Sequence, residues 1–149
     1  MPLATQSQGD DEQYVLVASL DNARNLSNIL KAITFKDHAI FTATTNGLKV
    51  TVEDSKCLLS TFGNAGNAHY DYSKDSDMME LFKCTETQTN RYKMSLLKPS
   101  TKALALSCKV SVRTDNRGFL SLQYLVRNDD GQICFVEYYC CPDEEVEEN

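Results

Sequence analysis

The sequence has 149 residues, 42% hydrophobic and 24% charged, with a net charge of −6. This length and balance are typical of a folded domain with its own core rather than of a disordered chain. No apolar run approaches the roughly 20 residues that span a bilayer, and residues 1–12 lack the features of a secretory signal. We therefore expect a protein of the cytosol or nucleus with no membrane partner.

The charge is unevenly distributed along the chain. Residues 10–12 and 143–148 hold eight of the 21 acidic residues, which leaves 13 acids against 15 bases in the body. Residues 91–127 contain eight bases and a single acid, Asp115. A basic module between acidic ends is compatible with a nucleic-acid partner despite the net negative charge.

The six cysteines and two histidines show no metal-binding spacing. No CxxC pair occurs, and His38 and His69 are far apart in sequence. Because a structural zinc site needs about four convergent ligands, we expect no metal and no cofactor, and we interpret the cysteines as reduced thiols.

The first third of the chain predicts a strand followed by a helix. Residues 1–12 are expected to be a disordered leader, and Tyr14–Leu20 is rich in β-branched and aromatic residues. Asp21 or Asn22 can cap the helix that follows. Its apolar stripe consists of Leu26, Ile29, Leu30 and Ile33.

A hairpin is predicted next. His38–Thr44 and Leu48–Glu53 flank Thr45-Asn46-Gly47, and Asn-Gly at such a place indicates a tight turn with two positive φ angles. Alternation in Leu48–Glu53 predicts one buried and one wet face. Lys56–Gly63 is a candidate further strand, which would complete a strand–helix–meander unit.

The remainder predicts a second unit of the same kind. Asn64–Asp77 is interpreted as a polar loop, Met78–Lys83 and Thr89–Lys93 as strands, and Ser95–Leu104 as a short helix with Pro99 in its first turn.

Three alternating segments, Cys108–Arg113, Phe119–Arg127 and Gln132–Cys140, predict a closing meander that ends at Pro142. An acidic tail, 143–149, follows. The predicted fold class is α+β, with two strand–helix–meander units whose helices pack on one side of antiparallel sheet.

Long segments resemble the Rad-one subunits of the checkpoint sliding clamp, the nine-one-one ring. The first part of that family is matched by VASLDNARNLSNILKAI (17–33) and TNGLKVTVED (45–54). The family's C-terminal part is matched by LSTFGNAG (59–66), YDYSKDSD (70–77), SLLKPSTKALALSCKVSVRTDNRGFLSLQY (95–124) and DGQICFVEYYCCPDEE (130–145).

The resemblance implies a PCNA-like clamp fold and a non-enzymatic role in the DNA-damage checkpoint, DNA repair and the cell cycle. Such a nuclear subunit would join the other two clamp subunits in a heterotrimeric ring around double-stranded DNA. It would be placed there by a clamp loader and would be a scaffold for checkpoint and repair proteins.

The sequence departs from the family's pattern in the middle of the chain. Up to Cys57 it resembles the first unit of the family's first domain, and from Leu58 the second unit of its second domain. We therefore predict one hybrid clamp domain over 13–142, made of 13–57 and 58–142. A splice variant and a gene-model error both explain such a join. One alternative function is that of a truncated isoform, inactive or competing, that does not close the ring.

Clamps bind phosphates through bases on helix faces. The candidate DNA-backbone contacts on the two helices and nearby are Arg24, Lys31, Lys93, Lys98, Lys102, Lys109 and Arg113. The alternative is that these are ordinary solvated surface bases.

Two further sites are implied by the resemblance. The predicted subunit-contact edge is Leu59, Ser60, Thr61, Phe62, Gly63 and Asn64. Tyr138, Tyr139 and Pro142 match the place where clamps receive partner peptides, and ordinary strand aromatics are the alternative.

The rival class is a 3′-5′ DNA exonuclease, which would need several carboxylates converging on metal ions. The densest internal acidic set is Asp71, Asp75, Asp77 and Glu80, in and beside a polar loop. A charge run in such a place is usually solvated, so we predict no catalytic residues.

Overall fold

The computed structural model describes residues 13–32, 37–52 and 68–143. The strands are β1 (Tyr14–Leu20), β2 (His38–Thr44), β3 (Gly47–Val52), β4 (Ala68–Ser73), β5 (Met79–Cys84), β6 (Gln88–Lys93), β7 (Ser107–Asp115), β8 (Leu120–Arg127) and β9 (Ile133–Cys140). The helices are α1 (Ala23–Ala32), α2 (Met94–Leu97) and α3 (Ser100–Leu106). None of the helices in these ranges is long and apolar enough to cross a membrane.

Two antiparallel sheets form the α+β architecture. One has the strand order β5-β1-β7-β8-β9 and the other β4-β3-β2-β6. The first strand of the chain therefore lies beside the C-terminal meander, between β5 and β7. Conversely, β6 from the second half pairs with β2 from the first half. With the predicted join at Cys57/Leu58 as the boundary, the first part supplies β1 to the sheet of the second, and the second part supplies β4 and β6 to the sheet of β2 and β3, so the two parts are interlocked.

The predicted start of α1 is confirmed. The Asn22 side-chain oxygen accepts a hydrogen bond from the Asn25 backbone N–H at 3.2 Å, which satisfies a free donor of the first turn. Leu26 and Leu30 of the apolar stripe are fully buried. The Ser27 hydroxyl donates to the carbonyl oxygen of Thr101 at 2.8 Å, which fixes α1 against α3.

The core lies between the sheets and the helices. Leu48, Val50 and Val52 of β3 are buried while Lys49 is exposed, so the predicted alternation is confirmed. Burial of such aliphatic side chains contributes about 1.5–3 kcal/mol each. From β6, Tyr92 enters the same core and meets the Phe41 ring edge-on, with 5.3 Å between ring centroids.

The prediction that Asn64–Asp77 is a loop throughout was wrong, because it contains β4. Tyr70 and Tyr72 stand opposite Val50 and Leu48 of β3, and Tyr72 is buried. The polar residues around them obscured an alternating aromatic pair, and burial of the Tyr72 ring stabilises the strand.

Two local details also differ from the predictions. The predicted helix Ser95–Leu104 is two short helices, α2 and α3, with Pro99 at the start of the second. The hairpin after β2 is present, but Gly47 has the positive φ and, within the described ranges, no non-glycine residue does. Asn46 therefore does not adopt the left-handed conformation expected of an Asn-Gly turn.

Several predictions concern residues outside the described ranges. These are the leader 1–12, the strand Lys56–Gly63, the join at Cys57/Leu58, the contact edge Leu59–Asn64 and the tail after Asp143. The domain boundaries and the tail accordingly stay predictions.

Candidate nucleic-acid interface

The outward surface of α1 and α3 carries bases and no acids. The sequences of α1 (ARNLSNILKA) and of 94–106 (MSLLKPSTKALAL) hold four bases and no aspartate or glutamate. Arg24, Lys31, Lys98 and Lys102 are all exposed. We call these four residues the basic helix face.

The buried stripes of the two helices set the direction of these bases. Leu26 and Leu30 face the core, which turns Arg24 and Lys31 outward on α1. On α3, Thr101 and Leu104 are buried, so Lys102 points away from the sheet. Because no acid occurs on either helix, no carboxylate at the (i, i+4) spacing competes for these bases.

Three other predicted DNA contacts lie elsewhere. Lys109 Nζ donates a hydrogen bond to a Glu80 carboxylate oxygen at 2.8 Å and lies 3.6 Å from an Asp21 carboxylate oxygen. The hydrogen bond to Glu80 is the main cause that raises the pKa of Lys109. Arg113 is buried, with its Nε donating to the Ser111 hydroxyl at 3.1 Å. Its guanidinium stands 5.4 Å from the centre of the Tyr14 ring. Neither side chain belongs to the basic helix face.

Lys93 belongs to a separate cluster around Asp143. Its Nζ is 3.9 Å from an Asp143 carboxylate oxygen, while His38 Nε2 is 2.6 Å and Arg91 3.7 Å from the other oxygen. The Asp143 backbone N–H also donates to the carbonyl oxygen of Arg91 at 2.7 Å. The segment after β9 therefore returns to the free side of β6. Sequence reasoning missed this contact, because the partners are up to 105 residues apart.

The three residues of the predicted peptide site are not brought together by the strand itself. Tyr138 and Tyr139 are neighbours on β9, so their side chains point to opposite faces. The Tyr138 hydroxyl donates to the carbonyl oxygen of Leu96 and the Tyr139 hydroxyl to the Glu137 carboxylate. Pro142 lies beside Asp143, at the β6 side of the other sheet.

The acidic set considered for a nuclease does not form a metal cluster. Across 13–32, 37–52 and 68–143, no group of three or more His, Cys, Asp or Glu side chains is placed to hold a metal ion.

Two antiparallel sheets with a pair of helices whose sequences carry bases and no acids form an α+β domain, which is the fold class that the resemblance to PCNA-like clamps implies. The model of one family, described as repair protein Rad1/Rec1/Rad17, matches residues 15–59 and 58–126. The chain belongs to this family, which confirms the resemblance to Rad-one clamp subunits.

Named relatives agree with this assignment. The chain is 40% identical to "Cell cycle checkpoint protein RAD1" of Homo sapiens over 280 residues, covering 100% of this chain and 99% of the relative. The Mus musculus protein of the same name is also 40% identical over 280 residues, with 100% of both chains covered. The "DNA damage checkpoint control protein rad1" of Schizosaccharomyces pombe is 29% identical over 97 residues, 65% of this chain and 30% of that protein.

The alignments fit an internal shortening of this chain. An alignment of 280 positions exceeds the 149 residues by 131, so at least 131 positions have no counterpart here. The two segments matched by the family model meet at residues 58–59. That point adjoins the join predicted at Cys57/Leu58.

Proposed function

We propose that this chain is a non-enzymatic clamp subunit of the DNA-damage checkpoint, which acts in the nucleus and binds double-stranded DNA through the basic helix face. The observation that carries the proposal is the helix pair with four exposed bases and no acid. Family membership and the checkpoint and repair names of the relatives support it.

The chemistry of the basic helix face suits phosphate rather than base recognition. Lysine and arginine ends on a helix surface meet the phosphate backbone, release counterions and read no sequence. The whole chain is negative, but many of its acids lie at its two ends. The basic helix face can therefore be cationic. Binding without sequence preference is what a protein that slides along DNA requires.

Charge reversal of Lys98 and Lys102 is expected to weaken binding to double-stranded DNA at low salt by about tenfold or more. Losing two phosphate contacts should also reduce the slope of log affinity against log salt by about two. Fluorescence anisotropy with two labelled duplexes of unrelated sequence measures both quantities. The loss should be equal for the two duplexes.

The matched control reverses the charge of Lys49 and Lys83, two exposed lysines on the sheets. It makes the same change in net charge away from the helices, so it should alter affinity far less. Equal losses in both double variants would show that only net charge matters and would refute the basic helix face as the contact surface.

We also propose that the chain consists of two strand–helix–meander units and joins the other two clamp subunits by pairing of edge strands. The reciprocal placement of β1 and β6 in the two sheets supports the two-unit interpretation. Among the described strands β4 is an edge of the four-stranded sheet, and it follows the predicted contact segment Leu59–Asn64 in sequence. An exposed edge pairs with a further strand through its backbone groups.

Co-expression with the other two clamp subunits is expected to give a stoichiometric three-subunit complex on size-exclusion chromatography with light scattering. Such a complex would then be a scaffold that a clamp loader and checkpoint or repair proteins can engage. A binary complex or a free chain would instead support the truncated-isoform alternative, in which the missing positions are needed for ring closure.

A further inference from the structure

The last strand, β9, exposes apolar side chains on both faces. Ile133, Phe135 and Tyr139 are 43%, 50% and 63% exposed on one face, and Val136 is 43% exposed on the other. From Ile133 to Glu137 every residue is exposed. Large apolar side chains grouped on a single strand mark an interaction surface more often than isolated ones do.

β9 also lacks the features that keep edge strands from pairing. Of the other described edge strands, β5 carries Lys83 and Glu80, and the backbone of Asp143 covers part of β6. Charged side chains and covering segments of this kind block the addition of a further strand. β9 (ICFVEYYC) contains no lysine, arginine or proline and has one charged residue, Glu137.

The single charge on β9 is already satisfied within the chain. Gln123 Nε2 donates to one Glu137 carboxylate oxygen at 3.2 Å, and the Tyr139 hydroxyl donates to the other. A carboxylate that keeps these two donors loses less when solvent is displaced from its surroundings. Glu137 is therefore compatible with a position in a protein interface.

The occupant that the strand fits is a second copy of this chain. The aligned relatives have at least 131 positions that this chain lacks, so it has fewer residues of its own to cover an apolar edge. A two-fold axis perpendicular to the sheet would place two β9 strands antiparallel, with the helices of both copies on one side.

The one charged residue of β9, Glu137, selects one register among those that the axis allows. Pairing centred on Glu137 would oppose two carboxylates, which is unfavourable. Pairing centred on Val136 places Val136 against its own copy, Ile133 against Tyr139 and Phe135 against Glu137. It uses seven of the eight residues of β9 and brings no like charges together.

We propose that two copies of this chain associate by antiparallel pairing of their β9 strands about Val136, which forms one ten-stranded sheet from two five-stranded sheets. This surface differs from the basic helix face and from the β4 edge. Since the experiment uses the chain alone, its failure leaves the clamp proposal unaffected.

Sedimentation equilibrium of the purified chain, with reductant to exclude disulfides between exposed cysteines, tests the proposal. The wild-type chain is expected at twice its 16.7 kDa mass at high concentration. Val136→Lys opposes two lysines at the axis and should raise the dissociation constant about tenfold or more. The matched control Leu81→Lys, a similarly exposed residue on the edge strand β5, should leave the dimer intact.

Mixing two charge variants tests the register itself. The Val136→Glu chain alone should show the same weakening of the dimer as Val136→Lys, but an equimolar mixture of the two should recover dimers, because lysine then faces glutamate. A wild-type chain that stays monomeric at its highest soluble concentration would overturn the proposal. So would dissociation by Leu81→Lys, or a mixture that stays monomeric.

Discussion

Replacing Tyr92 by alanine is expected to lower the free energy of unfolding by about 3–5 kcal/mol, the range for truncating a large buried aromatic side chain. Tyr92 is fully buried on β6 of the four-stranded sheet, with its ring edge-on to Phe41. Its hydroxyl donates at 2.6 Å to the carbonyl oxygen of Gly118, in the turn between β7 and β8. One side chain therefore connects the two sheets.

The variant Tyr92→Phe separates the two contributions of this residue. It keeps the ring and removes only the hydrogen bond, which leaves the Gly118 carbonyl oxygen without that donor and should cost about 1–2 kcal/mol. Urea denaturation followed by circular dichroism gives both values. Equal losses for the alanine and phenylalanine variants would show that the Tyr92 ring contributes no packing energy.

Most of the fold was predictable because its pattern is local. The alternation in His38–Thr44 and Gly47–Val52 follows directly from a sheet with one buried face. β4 was missed because its stabilisation comes from the distant partner β3, while its own composition is that of a loop. A sequence pattern shows only the composition of neighbouring residues, whereas a strand is stabilised by the strand with which it pairs.

Local spacing and long-range contacts also account for different residues of the candidate site. The exposure of Lys98 and Lys102 was expected from their (i, i+4) spacing in the predicted helix, and the structure exposes both although Lys98 lies between α2 and α3. The engagement of Lys109 by Glu80 joins residues 29 positions apart, and the buried place of Arg113 depends on strands either side of β7. No local spacing encodes such contacts, so sequence reasoning assigned these bases to the DNA surface with the others.

Asp143 connects the end of one sheet to the other sheet. The residue follows the last strand of one sheet, yet its carboxylate lies against His38 and Arg91 of the other. Together with Tyr92 this ties the sheets at two places along β6. α1 and α3 pack on the five-stranded sheet, so the spacing of the basic helix face depends on that sheet staying in register.

Replacing Gly47 by alanine is expected to cost about 3 kcal/mol or more, combining backbone strain with overpacking. Gly47 has φ of +155°, and an added Cβ would lie 2.1 Å from the carbonyl oxygen of Tyr72. That oxygen belongs to the backbone of β4 and cannot rotate away as a side chain would. β3 and β4 would have to separate where Gly47 pairs with Ser73.

Gly131 is the matched control for this steric argument. Its φ is +84°, and an added Cβ would meet nothing within 4 Å beyond its own chain neighbours, so Gly131→Ala carries the conformational cost alone, about 1–2 kcal/mol. Thermal and urea unfolding of the two variants should therefore differ by about 1 kcal/mol or more. Equal decreases in the free energy of unfolding would show that β4 moves away from an added Cβ at Gly47 without an energetic penalty. The edge strand proposed for subunit contact would then be too loosely held to set a register.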